Sequence, residues 1–187
     1  VRVVYVGADE TLFRPTPERE PGAPVDVLFY GSFIPLHGAQ TIVEAARLYQ
    51  GPPVRWSLLG DGPAKPACQK AADGLTNVFF EDRIPYAALP ARIHRADILL
   101  GVFGTTQKAG RVIANKVFQA LASGRPVISR LSEAYPPEAV EAGALALVAP
   151  GDPQALAAQV AEWASQRAGL AARGRAARAL YDRAFST

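Results

Sequence analysis

Short apolar runs alternate with amphipathic, helix-spaced stretches along nearly the whole of this sequence. Strand-length apolar runs fall at 25–30, 54–59, 78–80, 98–103, 126–129 and 145–148. The run 98–103 is continuously apolar, as a strand covered on both faces requires. Helical patterns separate the runs at 39–49, 66–72, 86–95, 115–123 and 137–141, and two more follow at 153–165 and 170–184. In the first of these, Ile42, Ala45, Ala46 and Tyr49 repeat at the spacing of one helical face. Asp152 followed by Pro153 supplies an N-cap and a first-turn proline. Strand alternating with helix in this order predicts an α/β fold: a doubly wound, mostly parallel sheet with helices on both faces. Ahead of it lie a short apolar run at 3–6 and a segment, 14–25, whose four prolines mark an extended linker.

At 187 residues the chain is the size of one domain, or at most one and a half. That is long enough to bury a core without disulfides, and the one cysteine, Cys68, cannot form an intrachain bridge. A reducing, cytoplasmic compartment is the expectation. No apolar run approaches the ~18 residues of a membrane span. The chain contains no Met, which suggests a fragment that begins downstream of its initiator. The net charge of +3 is concentrated at 167–183, where five arginines face Asp182 alone. The rest is close to neutral, which argues against a nucleic-acid partner.

A second charge asymmetry bears on function. Between Ile98 and Ser132 there is no Asp or Glu, but there are Lys108, Arg111, Lys116, Arg125 and Arg130. The stretch is either an anion site or a solvated basic face. Its position favours the first, because it follows a predicted strand and leads into the helix at 115, and ligands of doubly wound folds bind beyond the carboxyl ends of the strands. A helix N-terminus attracts phosphate, and Asn115 is placed to cap this one. Gly31, Gly60 and Gly104 stand at strand ends, where glycine lets backbone approach a ligand, or simply turns the chain. Other chemistries lack their signatures. There is no phosphate-binding G-x-x-x-x-G-K-[ST] loop, the G-x-G at Gly60 lacks its third glycine, and the two histidines have no metal-ligand spacing.

Several segments, taken in order, resemble the donor domain of retaining GT-B glycosyltransferases of the family 4, or group 1, type. They are VLFYGSFIPLHG at 27–38, LLGDGP at 58–63, RIPY from Arg83, IANKVFQALASGRPVI at 113–128 and LVAPGDP at 147–153. The resemblance implies one of two Rossmann-like halves, the carboxyl-terminal one, which binds a nucleotide-sugar donor. The partner half, which holds the acceptor, would be an amino-terminal domain missing here. It implies a division into an entry strand and linker at 1–25, the donor domain at 26–166 and an Arg-rich terminal helix at 167–187. It also implies a donor with UDP favoured over GDP, no metal and no further cofactor.

By the same resemblance, Gly31 and Ser32 lie where backbone meets the donor phosphates, and Arg83 and Ile84 where backbone meets the base. Gln119 stands at the second glutamate of the family's E-x7-E motif, which holds the ribose, and Arg111 at the first, which contacts the sugar. Both glutamates are thus replaced, and the usual Arg and Lys of the first loop are Ser32 and His37. Lys116 then becomes the expected phosphate cation, helped by Lys108 and Arg111, with Lys116 and Arg111 as the catalytic pair. Gly60, Gly104, Asn115 and Val117 complete the expected donor contacts. The arginines of the last helix are expected to be largely exposed, with an anionic membrane at the cytoplasmic face as a possible partner surface. Two rivals stand beside this reading: a Rossmann-type nucleotide enzyme of another class, and a non-catalytic partner subunit.

Overall fold

The structure, a computed structural model, describes residues 5–18, 20–21 and 23–186. The expected opening run at 3–6 lies partly outside them, and Tyr5 and Val6 belong to no strand. Among the described residues, six strands, β1 (Val25–Tyr30), β2 (Val54–Leu59), β3 (Val78–Glu81), β4 (Ile98–Leu100), β5 (Val127–Arg130) and β6 (Leu145–Val148), form one sheet in the order β3-β2-β1-β4-β5-β6. Every pairing is parallel. The helices are α1 (Ala39–Leu48), α2 (Lys65–Ala71), α3 (Leu89–Arg95), α4 (Asn115–Ala122), α5 (Pro137–Glu141), α6 (Pro153–Ser165) and α7 (Leu170–Ala184). The strand order reverses between β1 and β4, which makes a crevice at their carboxyl ends.

Successive side chains of β1 point to opposite faces and seed the two halves of the core. Val27 and Phe29 pack with buried residues of α1 and α6. Leu28 and Tyr30 pack with Ile93 of α3, Val117 and Leu121 of α4, and Leu180 and Tyr181 of α7. The Asp152 side chain accepts from the Ala155 amide at 2.9 Å, so the predicted cap on α6 is present.

Polar side chains join the sheet to α3. Arg92, almost fully buried, donates to Asp26 at 2.8 Å and makes two 2.7 Å bonds to Glu81. Asp26 also accepts from Ser57 at 2.7 Å. The Arg92 hydrogen bond holds the Glu81 carboxyl below the usual carboxylate range.

Three expectations need correction. The fourth strand stops at Leu100 rather than residue 103, because Val102 donates to the Ser129 hydroxyl and Phe103 to the His37 carbonyl, leaving the ladder. The helical pattern at 86–95 begins as a 3-10 turn, Tyr86–Ala88, before α3. Asn115 does not cap α4: the cap position is Ala114, and no side chain bonds there.

The terminal helix packs on α4, with Ala177, Leu180 and Tyr181 fully buried. Arg167, Arg175 and Arg183 are exposed, whereas Arg173 and Arg178 are half-buried. Four of the five are engaged within the chain. Arg167 donates to the Pro21 carbonyl, Arg173 to Gly143, Arg175 to Glu18, and Arg178 to Asp182 and the Ala122 carbonyl. No helix among the described residues is long and apolar enough to cross a membrane.

Candidate functional site

The crevice at the switch point is built from the loops after β1, β2, β3 and β4. Gly31 and Gly60 face each other at the ends of β1 and β2. Their φ angles are +144° and +134°, a region side chains disfavour, and a Cβ on Gly60 would lie 2.0 Å from the Gly31 carbonyl oxygen. Two loops therefore meet backbone to backbone, and a cleft of about 280 Å³ opens beside them. Gly31, Ser32, Gly60, Arg83 and Ile84 line it, so five of the expected donor residues are brought to one place.

Lys116 approaches the same point from α4. It is a buried lysine in the first turn of α4, followed by the buried Val117 and Phe118. Its ammonium lies 4.2 Å from the centroid of the Phe29 ring and 5.9 Å from that of Tyr30. Aromatic faces attract a cation but do not accept its N–H bonds as oxygen does. Nζ has no hydrogen-bond partner among the described residues. Burial accordingly pushes Lys116 down to about 7. A Cβ on Gly31 would stand 2.7 Å from Nζ and 3.1 Å from the His37 ring, so glycine keeps open the space between two nitrogen-bearing side chains. His37 Nδ1 is bonded to the Ser32 carbonyl. Burial first, then the Lys116 charge, pushes His37 down to about 4, although the Ser32 bond raises it.

Gln119 is one turn along α4. Its Oε1 accepts from the Tyr30 hydroxyl at 2.8 Å and its Nε2 donates to the Tyr86 hydroxyl at 3.3 Å. Burial pushes the Tyr30 phenol well up, and Tyr86 adds to this, so Tyr30 keeps its proton. Tyr30 and Tyr86 both line the cleft, and Tyr86 is 54% exposed. Sequence reading missed both. Tyr30 carried a signal, standing in β1 just before Gly31 on the face shared with α4. Tyr86 is 33 residues from Gln119, and its one signal was its place at the end of the RIPY segment beside Arg83 and Ile84. Lys65 was missed too: it is buried, bonds the Gly60 carbonyl at 2.8 Å and pairs with Asp82 at 3.3 Å.

The remaining expected residues lie apart from this cluster. Val117 is fully buried in the core, so its side chain faces no ligand. Gly104 is buried, and a Cβ there would lie 2.2 Å from the Pro35 carbonyl, so it joins two loops instead of lining the cleft. Asn115 is exposed at the start of α4. Lys108 and Arg111, both exposed, sit on a 3-10 turn. Arg111 lines a separate recess with Arg130 instead of joining Lys116 at Gly31. Of the five cations in the acid-free stretch, Arg125 turns away altogether and donates to the His94 carbonyl at 2.7 Å. Among the described residues, no group of three or more His, Cys, Asp or Glu side chains is arranged to hold a metal.

The sequence and the fold both have known relatives. The chain is 30% identical over 175 residues to WcaL of Salmonella typhimurium, described as a colanic acid biosynthesis glycosyltransferase. The match covers 87% of this chain and 42% of WcaL. The fold superposes on the C-terminal domain of LpcC, a glycosyl transferase group 1 family protein of Francisella tularensis. The TM-score is 0.73 at 19% identity, over 94% of this chain and 97% of that one. It also superposes on Anabaena HepE, whose structure was solved in complex with UDP, with a TM-score of 0.80 at 20% identity over 99% of this chain. The chain spans 53% of HepE and, as noted, less than half of WcaL. Residues 24–166, nearly the whole sheet-and-helix body, match the family described as glycosyl transferases group 1, and the chain belongs to that family.

Proposed function

We propose that this chain is the donor-binding half of a glycosyltransferase that takes a nucleoside diphosphate sugar, UDP-linked in preference to GDP-linked. The observation that carries this reading is the Lys116 ammonium, buried without an acceptor beside a glycine that leaves room for one. A diphosphate at Gly31 supplies the missing oxygens. The nucleoside then occupies the cleft over β1–β3. Backbone of Arg83 and Ile84 meets the base, and the Gln119 amide, held between Tyr30 and Tyr86, meets the ribose.

When the glycosyl bond breaks, negative charge develops on the leaving phosphate oxygens. An ammonium held at that point in a water-poor pocket stabilises the developing charge more than it stabilises the ground state. In this reading Lys116 does the work that a divalent ion does in metal-dependent transferases, and the donor binds without one. The acceptor is bound by a second domain outside this chain. The lengths of WcaL and HepE, each about twice the matched span, support that division. The test is calorimetry with UDP in the presence of a chelator. Saturable binding is expected, and a strict requirement for added divalent ion would contradict the assignment of Lys116.

A further inference from the structure

With the diphosphate at Gly31, the nucleoside cleft lies to one side of the switch point, over β1–β3. A second recess, of about 370 Å³, opens on the other side. Its lining comes from the segment after β4, the end of β5 with its following loop, and the segment after β6: Thr105 and Thr106, Arg130 with Ser132, and Pro150, together with Arg111. We propose that this recess receives the glycosyl group of the donor, and that this group carries a carboxylate, as a hexuronic acid does, paired with Arg111 and Arg130. The proposal rests on the donor reading above and adds the class of sugar.

Hydroxyls of a neutral sugar both donate and accept, and the side chains of Thr105, Thr106 and Gln107 in the recess can serve them. Arginine offers donors only. Between Ile98 and Ser132 the chain has no carboxylate, and the recess holds two guanidinium groups against one acid, the exposed Glu133. The two arginines differ in mobility. Arg130 is fixed, with Nη1 donating to the Gly104 carbonyl and Nε to the Leu131 carbonyl, each at 2.8 Å. That leaves Nη2 beside Gly110, where a Cβ would come within 3.0 Å of it. Arg111 is exposed, and no carboxylate lies within salt-bridge distance of it among the described residues. One anchored and one adaptable guanidinium suit a carboxylate, which takes paired N–H bonds from such forks. The diphosphate does not account for them, because Lys116 meets it at Gly31, in a different part of the crevice.

Calorimetry on the chain with UDP, UDP-glucose and UDP-glucuronic acid tests this, with Arg111→Gln and Arg130→Gln beside the wild type. The wild type should bind UDP-glucuronic acid about 10-fold or more tighter than UDP-glucose, the range of a charge-assisted contact. Arg111→Gln, an exposed position that costs no folding, should remove most of that preference while UDP affinity stays within about twofold, since UDP makes no contact there. Arg130→Gln should act in the same direction. Equal affinity of the wild type for the two sugars overturns the proposal and leaves the donor reading standing. An equal loss for UDP itself in Arg111→Gln also overturns it, because the arginine then serves phosphate. Failure of all three ligands to bind overturns the donor reading and this proposal with it.

Discussion

A Cβ added at Gly31 would lie 2.7 Å from the ammonium nitrogen of Lys116, so the smallest residue in the chain faces one of its few buried charges. Gly31→Ala should therefore act twice. The backbone is at φ +144°, and holding alanine there costs about 1–3 kcal/mol. The methyl group also fills the space assigned to phosphate. Urea unfolding should show the loss of stability, and UDP binding should fall further than stability alone explains. An Ala variant as stable as the wild type that binds UDP normally would show that the space is not used.

The lowered proton affinity of Lys116 predicts how stability depends on pH. Its folded value of about 7 lies below its ordinary value of 10.5. Between those two pH values the unfolded chain holds more protons, so stability of the unliganded chain should rise with pH across that window. Lys116→Met should flatten the rise, and at pH 6 should stabilise the chain by about 1–3 kcal/mol by removing an unpartnered charge. Thermal unfolding from pH 6 to 10 measures both effects. A steeper rise in the variant would contradict the burial argument.

Binding of a diphosphate should restore the proton to that ammonium. At pH 8, titration of UDP in buffers of different ionisation enthalpy should show uptake of up to about one proton, and affinity should weaken as pH rises above 7. Proton release on binding would be incompatible with an ammonium–phosphate pair.

Most of the fold was legible in the sequence, because each strand is a short apolar run and each helix keeps its apolar spacing. The exceptions have local causes. Gly101 and Val102 are apolar enough to extend β4, but the Ser129 hydroxyl takes the Val102 amide, and hydropathy does not register a hydroxyl partner from another strand. The site was legible only in part. Lys116 and Arg111 are five residues apart and read as a single basic cluster. The extended backbone at Val112 and Ala114 separates them into two recesses. Tyr86 reaches Gln119 from the loop after β3, a contact made by the sheet order, which a single sequence does not encode locally.

The Arg92 cluster should prove structural. Removing its guanidinium leaves the half-buried Asp26 and Glu81 without their shared cation, a loss of about 2–4 kcal/mol, below that of a fully buried pair. Arg92→Ala should show that loss in urea. Glu81 is held below its ordinary value, so its contribution is present above that value and is lost as pH falls through the lowered one. Acid unfolding of the wild type should include this step, and Arg92→Ala should lack it.

Gln119 should act on the nucleoside rather than the phosphates. Gln119→Ala should weaken UDP and uridine alike, by about 5- to 10-fold for one hydrogen bond. Gln119→Glu should preserve both, since a carboxylate can accept from Tyr30 and still face the ribose. Selective loss of UDP in Gln119→Ala would move this residue to the phosphates.

Calorimetry of Lys116→Ala with UDP and with uridine tests the central claim most directly. Loss of a charge-assisted contact of about 1.5–3 kcal/mol should weaken UDP by roughly 10- to 150-fold. Uridine, which has no phosphate, should bind within about twofold of the wild type. Equal losses for the two ligands, or no loss for UDP, would contradict the assignment of Lys116 to the donor diphosphate.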